Sequence, residues 1–198
     1  DPDTERVIYH FADNGNNNYC TWRVSEVEND GTMHFSSPNV YYSAAMGQQS
    51  SAVYDTTNNR IVFMWPNGTS ELRSTTGTVT GITNVGSVYD SYNERVVVAY
   101  RDTGNSNHGY ARVGSLSGET ITWGTAVGFN TNGDTDHMRM AFDASTNNIV
   151  ISYVDANNSG EASVKVGKVN ATDNSISFSS KVDISTTAGN QTVLSYDS

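Results

Sequence analysis

Three stretches of the chain carry almost the same order of apolar and polar positions: Arg6-Val-Ile-Tyr-His-Phe-Ala-Asp13, Arg95-Val-Val-Val-Ala-Tyr-Arg-Asp102 and Asn148-Ile-Val-Ile-Ser-Tyr-Val-Asp155. Each is a short, nearly continuous apolar run rich in β-branched and aromatic residues, which predicts a strand and not a helix. The lack of clean alternation predicts that both faces are covered. A polar turn follows each run: Asn14-Gly-Asn-Asn-Asn18, Thr103-Gly-Asn-Ser-Asn107 and Ala156-Asn-Asn-Ser-Gly160. Their Gly and Asn residues suit the positive φ that tight turns require. A second strand comes next, in which Arg23, Arg112 and Lys165 share one offset, each before a valine (Val24, Val113, Val166). A third strand is expected at Met33-His-Phe35, Ile121-Thr-Trp123 and Ile176-Ser-Phe178. A fourth is expected at Ser51-Ala-Val-Tyr54, Met138-Arg-Met-Ala-Phe142 and Thr192-Val-Leu-Ser-Tyr196.

The order recurs at a fixed stride, marked by Asp1, Asp55, Asp90, Asp143 and Asp197, which lie 54, 35, 53 and 54 residues apart. Four of these acids follow an aromatic residue, in Tyr54-Asp55, Tyr89-Asp90, Phe142-Asp143 and Tyr196-Asp197. A repeat longer than about 40 residues, with four antiparallel strands in each unit, is the pattern of a propeller or similar array. The predicted fold class is therefore all-β, with four-stranded antiparallel blades in a β-propeller-like repeat array. One repeat domain, 1–198, divides into units 1–54, 55–89, 90–142 and 143–196. The second unit is short, and its first strand ends in Trp65-Pro66-Asn67, which predicts a trimmed blade with a compressed hairpin around Glu71-Leu72-Arg73. Either a closed ring of four blades or a portion of a larger ring or tandem fibre fits this pattern. Because the chain starts and stops at the same point of the repeat, no clasp shared between the termini is expected, and the chain reads as a segment of a longer array or a processed product. An unclosed blade at either end leaves ladder groups unpaired, so another blade or another copy is expected to cover them.

Composition narrows the function. Charged residues make up only 16% and the formal net charge is −10, the opposite of the clustered Lys and Arg that a nucleic-acid backbone demands. Lys165, Lys168 and Lys181 all fall in the last unit, so no basic stripe runs along the molecule. The single cysteine, Cys20, excludes an internal disulfide, and its equivalents Gly109 and Ala162 mark it as a small filler. No apolar run approaches the roughly 18 residues of a membrane span, and no signal peptide opens the chain.

The pattern Tyr89-Asp90 through Tyr100-Arg101-Asp102, continued by Val113-Gly114-Ser115-Leu116 and Ile121-Thr122-Trp123-Gly124, resembles long tandem repeats in tail-fibre and surface proteins of aquatic phages and bacteria. The likeness extends over units one, three and four, with unit two degenerate. It implies an extracellular or virion-surface location, and a structural or adhesive module without a catalytic motif. It also implies a surface glycan or receptor as partner, together with self-association or neighbouring repeats.

The residues themselves offer few catalytic or metal-binding patterns. The sialidase arrangement needs Ser-x-Asp-x-Gly-x-x-Trp turns and an arginine cluster; Ser91-Tyr-Asn-Glu94 and its relatives differ from the turn. Arg6, Arg60 and Arg95 stand at equivalent strand starts, a structural periodicity. The separation of acid pairs suited to glycoside cleavage is a property of space and not of sequence. The recurring Asp13, Asp102 and Asp155 fit a cation or sugar hydroxyl at equivalent blade edges, but strand-ending acids that accept hydrogen bonds from their own turns are the stronger reading of the same periodicity. Asn130-Thr-Asn-Gly-Asp-Thr-Asp136 alternates oxygen side chains as a calcium loop does, but lacks the terminal Glu and reads as a solvated turn. His10, His34, His108 and His137 occupy different repeat positions without ligand spacing, so no metal and no cofactor is expected. Sequons at Asn67, Asn157, Asn170 and Asn190 fall in predicted turns, in a number that chance supplies. Trp22, Trp123, Tyr19 and Tyr110 are the aromatic candidates for stacking a sugar face. The resulting expectation is a non-catalytic extracellular adhesive module. A glycosidase-like propeller enzyme and a purely structural self-assembling fibre subunit are the alternatives.

Overall fold

The computed structural model describes residues 6–46, 50–66, 72–73, 78–79, 82–118, 120–189 and 191–195. The chain is all-β, with no α-helix among these residues, and its strands form four separate antiparallel sheets in sequence order. The first sheet holds β1 (Arg6–Asp13), β2 (Tyr19–Val27), β3 (Met33–Phe35) and β4 (Asn39–Ala45). The second holds β5 (Ser51–Asp55), β6 (Arg60–Pro66) and the two-residue strands β7 (Leu72–Arg73) and β8 (Thr78–Val79). The third holds β9 (Ile82–Asp90), β10 (Arg95–Asp102), β11 (His108–Ser117), β12 (Thr120–Trp123) and β13 (Val127–Asn130). The fourth holds β14 (Thr135–Asp143), β15 (Asn148–Asp155), β16 (Glu161–Asn170), β17 (Ser175–Phe178) and β18 (Val182–Ala188).

The sheets do not follow the sequence units. The strand that ends at each anchor acid pairs with the strand that begins five residues later, in the registers Asp55↔Arg60, Asp90↔Arg95 and Asp143↔Asn148. The acid explains why the chain reverses there. Asp90 is fully buried and accepts hydrogen bonds from the N–H groups of Tyr92 and Asn93 and from Asn93 Nδ2, at 3.1, 2.9 and 2.7 Å. Asp55 and Asp143 hold their turns in the same way. The turns end on Asn59, Glu94 and Asn147 at φ of 50°, 56° and 56°, the left-handed conformation that closes them. The anchor acid thus stands inside a hairpin and does not bound a sheet. Consequently β5, β9 and β14 open their sheets, where the sequence units place them last. Asp1 and Asp197 lie outside the described residues.

The outermost strand of the first, third and fourth sheets is broken in two, and the apolar pattern reveals only its first half, β3, β12 and β17. β12 pairs with the C-terminal half of β11 and β13 with its N-terminal half; β3 and β4 divide β2, and β17 and β18 divide β16, in the same manner. At the break in the first and fourth sheets a serine hydroxyl stands in for the lost ladder carbonyl: Val24 N–H donates to Ser36 Oγ and Val166 N–H to Ser179 Oγ, both at 3.0 Å. Just before the break an aromatic ring lies over a facing small residue. A Cβ on Gly114 would stand 2.8 Å from the Trp123 ring, and one on Gly167 2.9 Å from Phe178. This accounts for the recurrence of Val-Gly followed by Ile-(Thr/Ser)-(Trp/Phe), since at these two positions a Cβ would meet the ring; in the first sheet Ser25 faces Phe35 instead.

The sheets stack face against face. One core joins the third and fourth sheets through Val97, Ala99, Ala111, Val113, Ile149, Ile151 and Tyr153; another joins the second and third through Val62, Met64, Val96, Val98 and Tyr100. The first sheet packs on the second through rings: His10 and Tyr41 lie 4.7 and 5.3 Å from Phe63, and Tyr41 meets Trp65 edge-on at 5.0 Å. The opening strands β5, β9 and β14 run beside one another, with Ser51 Oγ and Ser87 Oγ 2.7 Å apart across the first pair.

Candidate functional site

Of the arginines at equivalent strand starts, Arg60 and Arg95 connect sheets, while Arg6 pairs with Glu26 in its own sheet. Arg95 donates to Asn174 Oδ1 and to the Ala171 carbonyl in the β16–β17 turn of the next sheet, both at 2.8 Å. Arg60 reaches the Gly118 carbonyl in the third sheet and pairs with buried Asp55 at 2.9 Å. Burial raises the Asp55 pKa, but hydrogen bonds from Tyr89, Asn58 and Arg60 outweigh it and hold the carboxyl below the usual range. A Cβ on Gly124 would fall 1.9 Å from the Asn174 carbonyl oxygen, so glycine is what admits that turn between the sheets.

Asp13, Asp102 and Asp155 take the same place in their sheets. Each accepts the N–H two residues on, from Gly15, Gly104 and Asn157 at 3.0, 3.0 and 3.2 Å. Asp155 also meets Lys181, which in turn pairs with Asp183 at 3.1 Å. The cations at one offset of β2 and β11 meet other acceptors: Arg23 Nε donates to the Ser36 carbonyl at 2.8 Å and Arg112 Nε to the Tyr100 hydroxyl at 3.3 Å. The turn after β15 and the loop before β14 bind each other, with Asn157 Nδ2 donating to the Asn132 carbonyl and the Ala156 N–H to the Asp134 carbonyl. Side chains of the calcium-like segment are engaged as well. Asn130 Nδ2 donates to Thr135 Oγ1, Asp134 pairs with Arg101 at 2.9 Å, and Asp136 accepts from Asn84. Among the described residues no group of three His, Cys, Asp or Glu side chains is placed to hold a metal ion.

The aromatic candidates separate clearly. Trp123 packs over Gly114 and against the second core; Tyr110 stacks on Tyr100 with centroids 6.4 Å apart and hydrogen-bonds Asn105. Tyr19 is half-buried at the start of β2, opposite Asp13. Trp22 lines a cleft, a space of about 260 Å³ between the first and second sheets bounded also by Ile8, Tyr54, Asn59, Arg60, Ile61 and Phe63. Tyr54 O–H donates to Asn59 Oδ1 at 2.7 Å, so the rim presents an oriented amide next to the arginine and the rings. A flat face bordered by amide, hydroxyl and guanidinium groups fits a ring that is apolar on one side and hydroxylated at its edge. Trp22 was visible in the sequence. Tyr54, Asn59 and Arg60 were not, because they come from the neighbouring sheet and read as turn and strand-start residues.

Of the sequons, Asn157 and Asn170 are exposed, while Asn67 and Asn190 lie outside the described residues. The Asn157 amide is already engaged with Asn132. Cys20 is fully buried, and burial pushes its thiol up to about 11, which suits a filler and not a nucleophile. No helix among the described residues is long and apolar enough to cross a membrane. No protein-family model and no curated protein matches the chain.

Proposed function

We propose that the four sheets are consecutive blades of a propeller-like array, and that the chain is a non-catalytic structural and adhesive module of a surface fibre or virion appendage, recognising a surface glycan or receptor outside the cell. The observation that carries this reading is the cleft of Trp22, Tyr54, Asn59, Arg60 and Phe63, which joins stacking faces to fixed polar groups. Asp55, Asp90 and Asp143, the acids that recur, are satisfied by their own turns. That arrangement suits a scaffold whose repeated chemistry holds it together and whose recognition lies between sheets. Weak sites of this kind gain strength when many copies are displayed together, because each further contact is made at a high effective concentration.

The test is an array of neutral and acidic oligosaccharides probed with the wild-type chain and with Trp22→Ala. Wild type binds a defined subset, and the variant binds it about tenfold more weakly or worse while keeping its circular-dichroism melt. Equal binding by both proteins removes the cleft from the account. Release of reducing sugar replaces the adhesive reading with a glycosidase.

A further inference from the structure

The two ends of the stack are complementary. In the second, third and fourth sheets a strand lies on the inner side of β6, β10 and β15, and all three pairs share one register. In the first sheet the equivalent strand, β1, is an edge, with β2 as its one partner among the described residues. At the other end, Gln191–Ser195 occupies no sheet. Its Thr192 is buried and donates to the His137 carbonyl of β14, which places the segment next in the row after β5, β9 and β14. Its sequence, Thr192-Val-Leu-Ser-Tyr-Asp197, has the aromatic-Asp ending of those three strands.

The exposed apolar residues tell the same story. Apart from Tyr92, every exposed large hydrophobic residue described belongs to the first sheet, the fourth sheet or Val193. By strand alternation Val7 and Phe35 stand with Tyr9 on the face of the first sheet turned away from the second, while Val166 and Val182 stand with Val150 and Val164 on the face of the fourth turned away from the third. In the interior their counterparts meet: Val97 and Val113 of the third sheet pack on Ile149 and Ile151 of the fourth.

We propose that a second copy of this chain docks its first sheet on the free face of the fourth, and that the segment from Thr192 adds as the missing inner strand on β1 of that copy. The contact is head-to-tail. It repeats without closing on itself, so it builds filaments and not dimers. The shared register puts Ser195 opposite Ile8 and Leu194 opposite Tyr9. Glycan binding plays no part in the contact, so failure of either reading leaves the other standing.

Paired cysteines test it in a Cys20→Ala background, alanine being the residue at the equivalent Ala162. Neighbouring antiparallel pairs alternate between wide and narrow spacing, so one of Ile8→Cys/Ser195→Cys and Tyr9→Cys/Leu194→Cys lies at disulfide distance. The expected result is a ladder of disulfide-linked multimers on non-reducing gels from one of these pairs. The out-of-register pair Ile8→Cys/Leu194→Cys gives none. A cross-link confined to the monomer shows that the chain closes on itself and overturns the proposal, as does the absence of any cross-link. Hydrogen exchange of the unmodified chain gives a reading free of mutation: the alternate amides between Val7 and Phe11 that point away from β2 gain at least tenfold protection as concentration rises from micromolar to hundreds of micromolar, and no change overturns the proposal.

Discussion

β10 and β1 carry nearly the same residues and live in different surroundings. In β10, Val96 to Ala99 are fully inaccessible, with a strand on each side and a sheet against each face. In β1, Val7 is 44% exposed and no residue is buried. The apolar run that looks like a core strand in the sequence becomes one only when its neighbours are in place. A repeat of this kind stores its stability in the contacts between units, so the interior sheets hold more of it than the terminal one.

Equivalent substitutions sharpen that contrast. Ile149→Ala, at the position equivalent to Val96 and in the core of the third and fourth sheets, is expected to cost ~2–4 kcal/mol in urea unfolding. Val7→Ala, at the matching place in β1, is expected to stay within about 0.5 kcal/mol. Similar losses at both sites would mean that the first sheet is as well enclosed as the others.

A smaller effect distinguishes the interface between the first two sheets, which is aromatic and contains a histidine. Burial lowers the His10 pKa to about 4 from 6.5, so between those values the unfolded chain binds the proton that the folded one refuses. The contribution is complete above about pH 6.5 and is lost as pH falls towards 4. Because the ring keeps some contact with solvent, the expected loss between pH 7.5 and 5 is about 1 kcal/mol. His10→Gln abolishes that part of the pH dependence in urea melts; an unchanged slope would assign it to another group.

The sequence showed the strands with the strongest apolar runs, β1, β10 and β15, and the polar turns that follow them at 14–18, 103–107 and 156–160. The expected compression around Leu72-Arg73 appears as the two-residue strands β7 and β8, with Glu71 outside the described residues. β4 and β18 escaped because they are outer half-strands with mostly polar or exposed residues, as in Val182-Asp-Ile-Ser-Thr-Thr-Ala188, and β13 because Val127-Gly-Phe-Asn130 is only four residues long and interrupted by glycine. The sheet boundaries escaped for a different reason: the anchor acid is conspicuous, but its role as the acceptor at the centre of a hairpin is a matter of hydrogen bonding and not of periodicity. The cleft was half legible. Trp22 stands out by type, whereas Asn59 and Arg60 gain meaning only when the second sheet is laid against the first.

Residue-resolved hydrogen exchange on dilute protein tests most directly whether burial in this chain comes from neighbouring sheets. Amides of Val96 to Tyr100 in β10 and Ile149 to Tyr153 in β15 should exchange slowest, by a factor of about a hundred or more over Val7 to Phe11 in β1. Equal protection of all three strands would contradict the account.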